Sequence, residues 1–325
     1  MRKPPDAREI EVSRPDKILW PEPGVTKAGY VAYLRAVSGA MLPWLERRPL
    51  TMIRAPDGVE GERYFQKSAP KYAPDWIETV TIDAPSAKRV VDYLLCDHEA
   101  TLAWLGNQAV LEFHPAPVRM DRLERPDLLV VDVDPPPGAF DMAVEVAKLV
   151  LETLDALGLV AGVKTTGGEG LHIVAPIERR YDAQRLRSAA SELTRIVAER
   201  APDLVTGEFR KQDRGGRVML DPSRNSPGAT FVAAYSPRTR PGATVSFPLV
   251  PADLGKVSPA DFTVASAPGK LRGAGPRAWR ELEGVRGRLP SRLLVDTPAF
   301  SPRAGRKAGA KRARTSADVE TPGDG

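Results

Sequence analysis

The chain has 325 residues and a formal net charge of +5, and its hydrophobic fraction of 42% is ordinary for a folded protein. This composition argues against wholesale disorder, and no apolar run is long enough to cross a membrane. The one cysteine, Cys96, excludes an intrachain disulfide and a cysteine-rich zinc module.

The N-terminal third of the sequence predicts two helices and one strand. Residues 1–10 form a loose leader without an apolar signal core, so we expect a cytoplasmic protein. Apolar residues recur at helical spacing over 28–46 and again over 89–105. The run at 110–114 then predicts a strand.

From residue 128 onward the pattern alternates between strands and helices, which is typical of a mixed α/β domain. The strand at 128–134 is apolar and is stopped by three prolines. We expect Asp141 to cap the helix that follows and Gly158 to lie just beyond its end. The remaining predicted elements are strands at about 160–165, 171–177, 217–221 and 229–235 and helices at 182–200 and 270–293.

The C-terminal segment is different in composition. Beyond residue 298 the chain consists mainly of Pro, Gly, Ala, Lys and Arg, without an apolar pattern. We therefore predict one folded domain over 1–297 and a basic, disordered tail over 298–325.

Two carboxylates end the strand at 128–134. Asp132 and Asp134 are two residues apart, so both side chains project from the same face of the strand. Carboxylates this close repel each other, and one takes up a proton unless a cation lies between them. All-oxygen ligands of this kind suit Mg²⁺ or Mn²⁺. The alternative is that both residues only end the strand and solvate the turn before the prolines.

A third carboxylate, Asp221, also ends an apolar strand. Three strand-end carboxylates are the usual ligand set for two metal ions that drive in-line phosphoryl transfer. One ion would activate an attacking 3′-hydroxyl, and the other would hold a triphosphate and the leaving pyrophosphate. The hypothesis requires Asp132, Asp134 and Asp221 to converge in the folded chain.

A glycine-rich turn joins the strands at 160–165 and 171–177. It reads Thr-Thr-Gly-Gly-Glu-Gly-Leu-His and ends at His172. The glycines let backbone N–H groups face a phosphate, and Thr166 could donate a hydrogen bond to it. His172 could bind or protonate a triphosphate, although a lone histidine on a strand is more often a structural hydrogen-bonding residue.

Taken together, these motifs resemble the polymerase domain of bacterial ATP-dependent DNA ligase D, in the archaeo-eukaryotic primase superfamily. The resemblance covers roughly residues 11–255, with the motifs in the same order. It implies an α/β fold of the archaeo-eukaryotic primase type, with central, mostly antiparallel sheets flanked by helices and no zinc module. It also implies that Asp132, Asp134 and Asp221 are catalytic residues that bind two Mn²⁺ or Mg²⁺ ions.

The resemblance further implies contacts to an incoming NTP or dNTP and to DNA. The implied nucleotide contacts are Arg54, Thr166, Glu169, His172, Arg214, Arg224 and Arg238. Lys17 and Lys27 match the family's pocket for the 5′-phosphate at a gap, and two lysines suit a phosphate dianion. Tyr64 and Phe65 match a segment whose aromatic rings stack on a template base, although core packing explains such residues equally well.

The sequence departs from the family's pattern at several positions. Glu169 stands where the family often has lysine, which replaces an attractive charge by a repulsive one unless Lys164 neutralises it. Arg14 stands where asparagine is common, and proline follows His114 where tryptophan is frequent. The ligase and nuclease domains of ligase D are absent, so we expect a stand-alone relative.

The resemblance predicts a template-directed nucleotidyltransferase that fills gaps and processes ends during DNA repair such as non-homologous end joining. We expect it to be nucleoid-associated, to prefer ribonucleotides and to act with bacterial Ku and a separate DNA ligase, away from any membrane. Two alternatives stay open. One is a DNA-end-binding module whose nucleotide site has decayed, with Glu169 as the mark of decay, and the other is a metal-dependent phosphoesterase.

Overall fold

The computed structural model of the protein describes residues 3–84, 89–271, 279 and 281–295. Its helices are α1 (Lys27–Leu45), α2 (Glu99–Asn107), α3 (Phe140–Ala156), α4 (Ala183–Arg200) and the single turn α5 (Ala267–Lys270). Its strands are β1 (Ile18–Trp20), β2 (Val25–Thr26), β3 (Leu50–Arg54), β4 (Tyr64–Gln66), β5 (Thr79–Ala84), β6 (Arg89–Leu94), β7 (Val110–Pro115), β8 (Leu128–Asp134), β9 (Gly162–Thr165), β10 (Leu171–Pro176), β11 (Val205–Thr206), β12 (Val218–Asp221) and β13 (Pro248–Leu249).

A six-stranded sheet forms the centre of the fold. Its strand order is β11-β12-β8-β10-β9-β13, and every neighbouring pair is antiparallel except β11 and β12. Helices α3 and α4 pack against this sheet. Strand β8 lies inside it and is buried along almost its whole length, which explains its continuous apolar run.

A second, antiparallel sheet contains β4, β3, β6 and β5 in this order, with β7 also paired to β3. Helices α1 and α2 pack together. Helix α1 begins after Thr26, whose side chain accepts a hydrogen bond from the Gly29 N–H as an N-cap. Core residues from both sheets, such as Phe113 on β7 and Val130 on β8, belong to one hydrophobic cluster, so the two sheets share a core.

Most of the predicted elements are confirmed. The helix at 28–46 is α1, the strand at 128–134 is β8, and the helix at 182–200 is α4. Gly158 adopts a φ of 73° just beyond α3, as predicted for the residue after a helix end. Asp141, by contrast, lies inside the first turn of α3, and the N-cap position is Ala139, which makes no capping hydrogen bond through its side chain.

Three predicted elements are wrong in the described part of the chain. The segment predicted as a helix over 89–105 is strand β6 followed by α2. Burial alternates along β6, since Val91 and Tyr93 are buried whereas Val90 and Asp92 are exposed, and this period of two is that of a strand. The strand at 229–235 is an extended connection, and the helix predicted over 270–293 does not extend that far, because the described residues 281–284 form turns and 285–290 are not helical, although Trp279 is. The tail at 298–325 lies outside the described residues.

Among the described helices, none has both the length and the apolar composition that a membrane span requires.

Candidate active site

Register in the six-stranded sheet brings the predicted carboxylates to one face. Asp132 on β8 is directly opposite Asp221 on β12 and His172 on β10, and His172 is opposite Lys164 on β9. Directly opposed residues of antiparallel strands project from the same face of a sheet. These four residues therefore form a cross-strand row, and Asp134 lies on the same face two residues beyond Asp132.

Asp132 is held between two nitrogen donors. Arg224 Nε donates to Asp132 Oδ2 at 2.9 Å, and His172 Nε2 lies 3.4 Å from Oδ1. Burial alone would raise the pKa of Asp132, but the nearby His172 and Arg224 outweigh burial and lower this pKa well below its usual range. From the sequence, one carboxylate is expected to be protonated unless a cation compensates it, and the Arg224 guanidinium is such a cation for Asp132.

The other two carboxylates also have partners. Arg214 Nη1 donates to Asp134 Oδ2 at 2.7 Å, and the side chain of Asp134 is about half exposed. Asp221 accepts hydrogen bonds from the backbone N–H and the hydroxyl of Ser223, at 2.8 and 2.6 Å. Asp221 thereby caps the short helical turn that carries Arg224.

Asn225 ties this turn to β8. Its Oδ1 accepts from the Val130 N–H at 2.9 Å, and its Nδ2 donates to the Val130 carbonyl at 2.7 Å. The side-chain amide thus continues the hydrogen bonding of β12 where the strand itself has ended. Because Arg224 is the preceding residue, this anchor places its guanidinium beside Asp132.

Three carboxylates on one sheet face are a donor set that suits Mg²⁺ or Mn²⁺. Within the described ranges, no group of three His, Cys, Asp or Glu side chains is already arranged to hold an ion. The reason is that Asp132 and Asp134 direct oxygens to guanidinium groups, while both oxygens of Asp221 accept bonds from Ser223. The backbone positions fit a metal centre, and a bound ion would require some of these oxygens to turn.

A cleft of about 360 Å³ opens beside the row. The predicted site residues that line it are Asp132, Asp134, Thr166, Glu169, His172, Arg214, Arg224 and Arg238. Four further lining residues carry nitrogen donors and were not predicted: His114, Lys211, Arg217 and Arg240. Cationic side chains outnumber carboxylates along this lining, an electrostatic arrangement that suits a polyanionic ligand. Asp221 and Arg54 are not part of the lining.

The glycine turn packs tightly between β8 and the segment after β12. A Cβ on Gly170 would lie 2.4 Å from the Val133 carbonyl oxygen, and one on Gly167, whose φ is 69°, would lie 2.7 Å from Arg238 Cγ. Arg238 Nη1 donates to the Thr166 carbonyl at 2.9 Å. The Thr166 hydroxyl is already used inside the turn, where it donates to the Gly170 carbonyl.

Glu169 is exposed on this turn and lines the cleft. Lys164 does not neutralise it, because the Lys164 ammonium is buried on the sheet face, 3.1 Å from His172 Nδ1 and 2.6 Å from Ser246 Oγ. Glu169 is therefore an acidic residue, not paired with Lys164, in a cleft that is lined mainly by cationic side chains.

Glu112 on β7 is a buried residue of the site that sequence reasoning missed. It accepts from the backbone N–H and the hydroxyl of Thr239, at 2.8 and 2.6 Å, and from His114 Nε2 at 2.9 Å. Arg238 Nε lies 3.0 Å from Glu112 Oε2, the oxygen that His114 also contacts, whereas both Thr239 bonds go to Oε1. Burial alone would raise the pKa of Glu112, but His114 and Arg238 lower it to about 2. The sequence feature that could have indicated Glu112 is its position two residues before His114 on an otherwise apolar strand.

A second pocket, of about 390 Å³, contains Lys17 and Lys27 together. Lys17 Nζ lies 2.6 Å from Asp57 Oδ1, and Lys27 Nζ donates to Ser13 Oγ at 2.9 Å. Burial lowers the pKa of Lys27, and the neighbouring cations Lys17 and Arg14 lower it further. Arg54, which we expected at the nucleotide, lines this second pocket instead.

Tyr64 and Phe65 lie on β4, at the edge of the second sheet. Their exposed fractions are 47% and 66%, so core packing does not explain them. The Tyr64 hydroxyl donates to Glu62 at 2.6 Å, and Lys67 Nζ lies 5.8 Å from the centre of the Phe65 ring. The Phe65 ring is thus available to a flat ligand from solvent.

Comparisons with known proteins agree with this geometry. The family described as "LigD, primase-polymerase domain" matches residues 26–283. The "Multifunctional non-homologous end joining protein LigD" of Pseudomonas aeruginosa is 31% identical over 287 residues, which cover 87% of this chain and 34% of that protein. The "Bifunctional non-homologous end joining protein LigD" of Bacillus subtilis is 29% identical over 270 residues, which cover 82% of this chain and 43% of that protein.

A solved structure extends the comparison to the fold. The polymerase domain from Mycobacterium tuberculosis ligase D, in complex with DNA, superposes with a TM-score of 0.79 at 29% identity. The match covers 85% of this chain and 99% of that one, and it confirms the α/β architecture with mostly antiparallel sheets and flanking helices. The chain spans less than half the length of the curated relatives it matches.

Proposed function

Because this chain belongs to the LigD primase-polymerase domain family, we propose that it is a template-directed nucleotidyltransferase that extends primer 3′-ends at gapped or broken DNA. The observation that carries the proposal is the placement of Asp132, Asp134 and Asp221 on one sheet face beside a cation-rich cleft. The matched relatives are named for non-homologous end joining, and we extend that repair context to this chain as part of the proposal.

The cleft is the proposed site for the triphosphate of an NTP or dNTP. Arg224 uses Nε for Asp132 and is 42% exposed, so its Nη groups can reach a phosphate in the cleft. Arg238 is braced by Glu112 and the glycine turn, which aligns it along the wall of the cleft. Charge-assisted hydrogen bonds from guanidinium groups to phosphate are the strongest of this type, and they favour nucleotide binding over a neutral ligand.

The three carboxylates would hold two Mg²⁺ or Mn²⁺ ions, which when bound would activate the 3′-hydroxyl and neutralise charge on the phosphates. Before binding, Arg224 and Arg214 keep Asp132 and Asp134 paired and close to the cleft. Asn225 holds the turn that contains Arg224 against β8, so the Arg224 guanidinium keeps its position relative to the carboxylates.

DNA would reach the cleft across the second pocket and the exposed aromatic residues. Lys17 and Lys27 would bind the 5′-phosphate on the far side of a gap, with Arg54 beside them. Phe65 would stack on a template base. The similar M. tuberculosis domain was solved in complex with DNA, which supports DNA as a ligand of this chain. Ku and a separate DNA ligase belong to the same proposal as partners.

The two alternative functions make different use of the same residues. A decayed end-binding module would need no ionised carboxylates, whereas Asp132 is held in its charged form by Arg224. A phosphoesterase would need the carboxylates but not several arginines placed around a triphosphate-sized cleft. Both observations favour nucleotide addition.

One assay separates the three functions. The wild-type protein is incubated with a labelled primer on gapped DNA that carries a 5′-phosphate, with NTP or dNTP and with Mg²⁺ or Mn²⁺. We expect the primer to grow by nucleotides complementary to the template. A shortened or dephosphorylated product would support the phosphoesterase instead, and a shift in electrophoretic mobility without any product would support the binding module.

A further inference from the structure

Lys164 lies at one end of the cross-strand row, and the proposed reaction does not use it. Its side chain is fully buried on β9, and in the described part of the chain no carboxylate is within ion-pair distance of Nζ. Burial lowers the pKa of Lys164 well below its usual range, and the nearby Arg238 lowers it further. Because an unpaired ammonium is costly to bury, this lysine needs a specific reason to be there.

Its two hydrogen-bond partners have defined roles. Ser246 Oγ donates its own hydrogen to the Thr165 carbonyl at 2.7 Å, so it can only accept from Lys164 Nζ, which lies 2.6 Å away. On the other side, Nζ lies 3.1 Å from Nδ1 of His172. Lys164 is thus anchored by Ser246 and directed at the histidine ring.

The opposite nitrogen of the ring determines the direction of this second contact. His172 Nε2 faces Asp132 Oδ1 at 3.4 Å, and an ionised carboxylate can only accept a hydrogen bond. A neutral imidazole carries one N–H, so the hydrogen belongs on Nε2 and Nδ1 accepts. Lys164 is then the donor to Nδ1, and the Phe231 ring packs against the histidine with centroids 6.2 Å apart.

We propose that Lys164 is a positioning residue that holds His172 in the Nε2–H tautomer, so that this N–H, which faces Asp132 where both residues line the cleft, is available there as a donor to nucleotide phosphate. The proposal rests on the proposed function. In the other tautomer, Nε2 would present a lone pair to Asp132 and to an anionic phosphate, and both contacts would become repulsive. The same lysine explains why a histidine, which has two possible tautomers, can serve as a dedicated donor here.

The test uses the full-length chain and two substitutions of Lys164. Lys164→Met keeps the length of the side chain and removes the donor, whereas Lys164→Gln keeps an N–H donor for Nδ1. Thr194→Val removes a different buried hydrogen bond, to the Ala190 carbonyl on α4, and serves as the matched control for loss of stability. Thermal unfolding first establishes that each variant is folded.

The first readout is the tautomer of His172, from ¹⁵N NMR of the imidazole ring at neutral pH. The chain has three histidines, so the His172 signals can be assigned with one His→Asn variant for each. We expect the Nε2–H form in the wild type and in Lys164→Gln, and a mixture that includes Nδ1–H in Lys164→Met. An Nδ1–H form in the wild type, or an unchanged Nε2–H form in Lys164→Met, overturns the proposal.

The second readout is primer extension with ATP or dATP as the nucleotide. Loss of one charge-assisted hydrogen bond is expected to raise the nucleotide KM of Lys164→Met at least about tenfold, with a smaller change in kcat and partial rescue in Lys164→Gln. In a His172→Asn background, Lys164→Met should change KM no further, since both act through the same ring. Additive effects of the two substitutions would contradict the proposal. If the wild type extends no primer, the proposed function fails, while the tautomer measurement still decides the role of Lys164.

Discussion

Glu112 shows how a single buried carboxylate organises one wall of the cleft. It contacts His114, Thr239 and Arg238, and these partners lower its pKa from 4.5 to about 2. A lowered pKa means that the charged form stabilises the fold above about pH 4.5 and that this contribution is lost as the pH falls toward 2. Glu112→Gln should therefore lower the free energy of unfolding by about 2 kcal/mol at neutral pH, and the difference from wild type should shrink between pH 4.5 and 2.

The measurement is urea unfolding of both proteins over this pH range. Glu124→Gln changes an exposed carboxylate and is the control, with an expected effect below about 0.5 kcal/mol. A difference between wild type and Glu112→Gln that does not depend on pH would mean that the charge of Glu112 contributes nothing.

Glu169 is the site residue that fits a phosphate-binding cleft least. Glu169 is exposed, and Lys164 contacts His172 and Ser246 instead of Glu169. A triphosphate bound nearby would therefore be repelled by the Glu169 carboxylate. Two like charges about 4 Å apart repel by roughly 1 kcal/mol in a water-like dielectric. We expect the nucleotide KM to fall about fivefold in Glu169→Gln and further in Glu169→Lys, at a fixed metal concentration. An unchanged KM in both variants would show that Glu169 points away from the phosphates.

The sequence predicted the charged residues of the cleft better than the residues that position them. Asp132 and Asp134 could be predicted because spacing of two on a strand gives a common face, and Asp221 because it ends a strand. Lys164 and Glu112 acquire their roles only through partners elsewhere in the fold, namely His172 on β10 and Thr239 in the segment between β12 and β13. Arg54 was assigned to the nucleotide from the resemblance, and only the folded chain shows that it lines the lysine pocket.

Among the turns and secondary-structure elements, the glycine turn has a close contact with β8 that a single substitution can test. Because a Cβ at Gly170 would lie 2.4 Å from the Val133 carbonyl oxygen, Gly170→Ala must push the turn away from β8 at the point between Asp132 and Asp134. Overpacking of this kind should destabilise the protein by about 1–3 kcal/mol and raise the nucleotide KM. Urea unfolding and primer extension measure the two effects.

Gly168→Ala is the matched control in the same turn. Its Cβ would come closest to the guanidinium at the end of the long Arg240 side chain, at 3.1 Å, and would meet Thr166 Oγ at an ordinary contact distance of 3.4 Å, so we expect a change below about 0.5 kcal/mol. Equal effects of the two alanines would mean that the contact with β8 does not constrain the turn.

Long elements with one dominant period were predictable, and short or ambiguous ones were not. The short apolar run of β8 predicts a buried strand, and the long amphipathic pattern of α4 predicts a helix. Strands β11 and β13 have two residues each, too few to show alternation. The segment at 229–235 has the composition of a strand, but its hydrogen bonds to β7 are those that the Phe231 and Ala233 N–H groups donate. The extended conformation then ends at Tyr235, whose φ is 64°.

In the whole molecule, the cleft predicts a contact with the nucleotide, and the separate lysine pocket predicts a contact with the 5′-phosphate of the DNA. Replacing Lys17 and Lys27 with Ala should weaken binding of gapped DNA with a 5′-phosphate at least about tenfold, and binding with a 5′-hydroxyl much less. Asp57→Asn removes the carboxylate that holds Lys17 and should tighten binding of the phosphorylated DNA. Fluorescence anisotropy gives both dissociation constants. An equal loss on both DNAs would reduce the lysines to a general backbone contact.

We propose above that Asp132, Asp134 and Asp221 together form a metal-dependent centre for nucleotide addition. The most direct test is the rate of single-nucleotide incorporation at a 5′-phosphorylated gap with Mn²⁺, for wild type and for each Asp→Asn variant. Asp213→Asn, an exposed carboxylate on the loop that carries Arg214, is the control. We predict a loss of at least about a hundredfold in each of the three variants, because each removes a proposed metal ligand, and a near wild-type rate in the control. A folded Asp132→Asn, Asp134→Asn or Asp221→Asn protein that incorporates nucleotides at the wild-type rate would contradict the account.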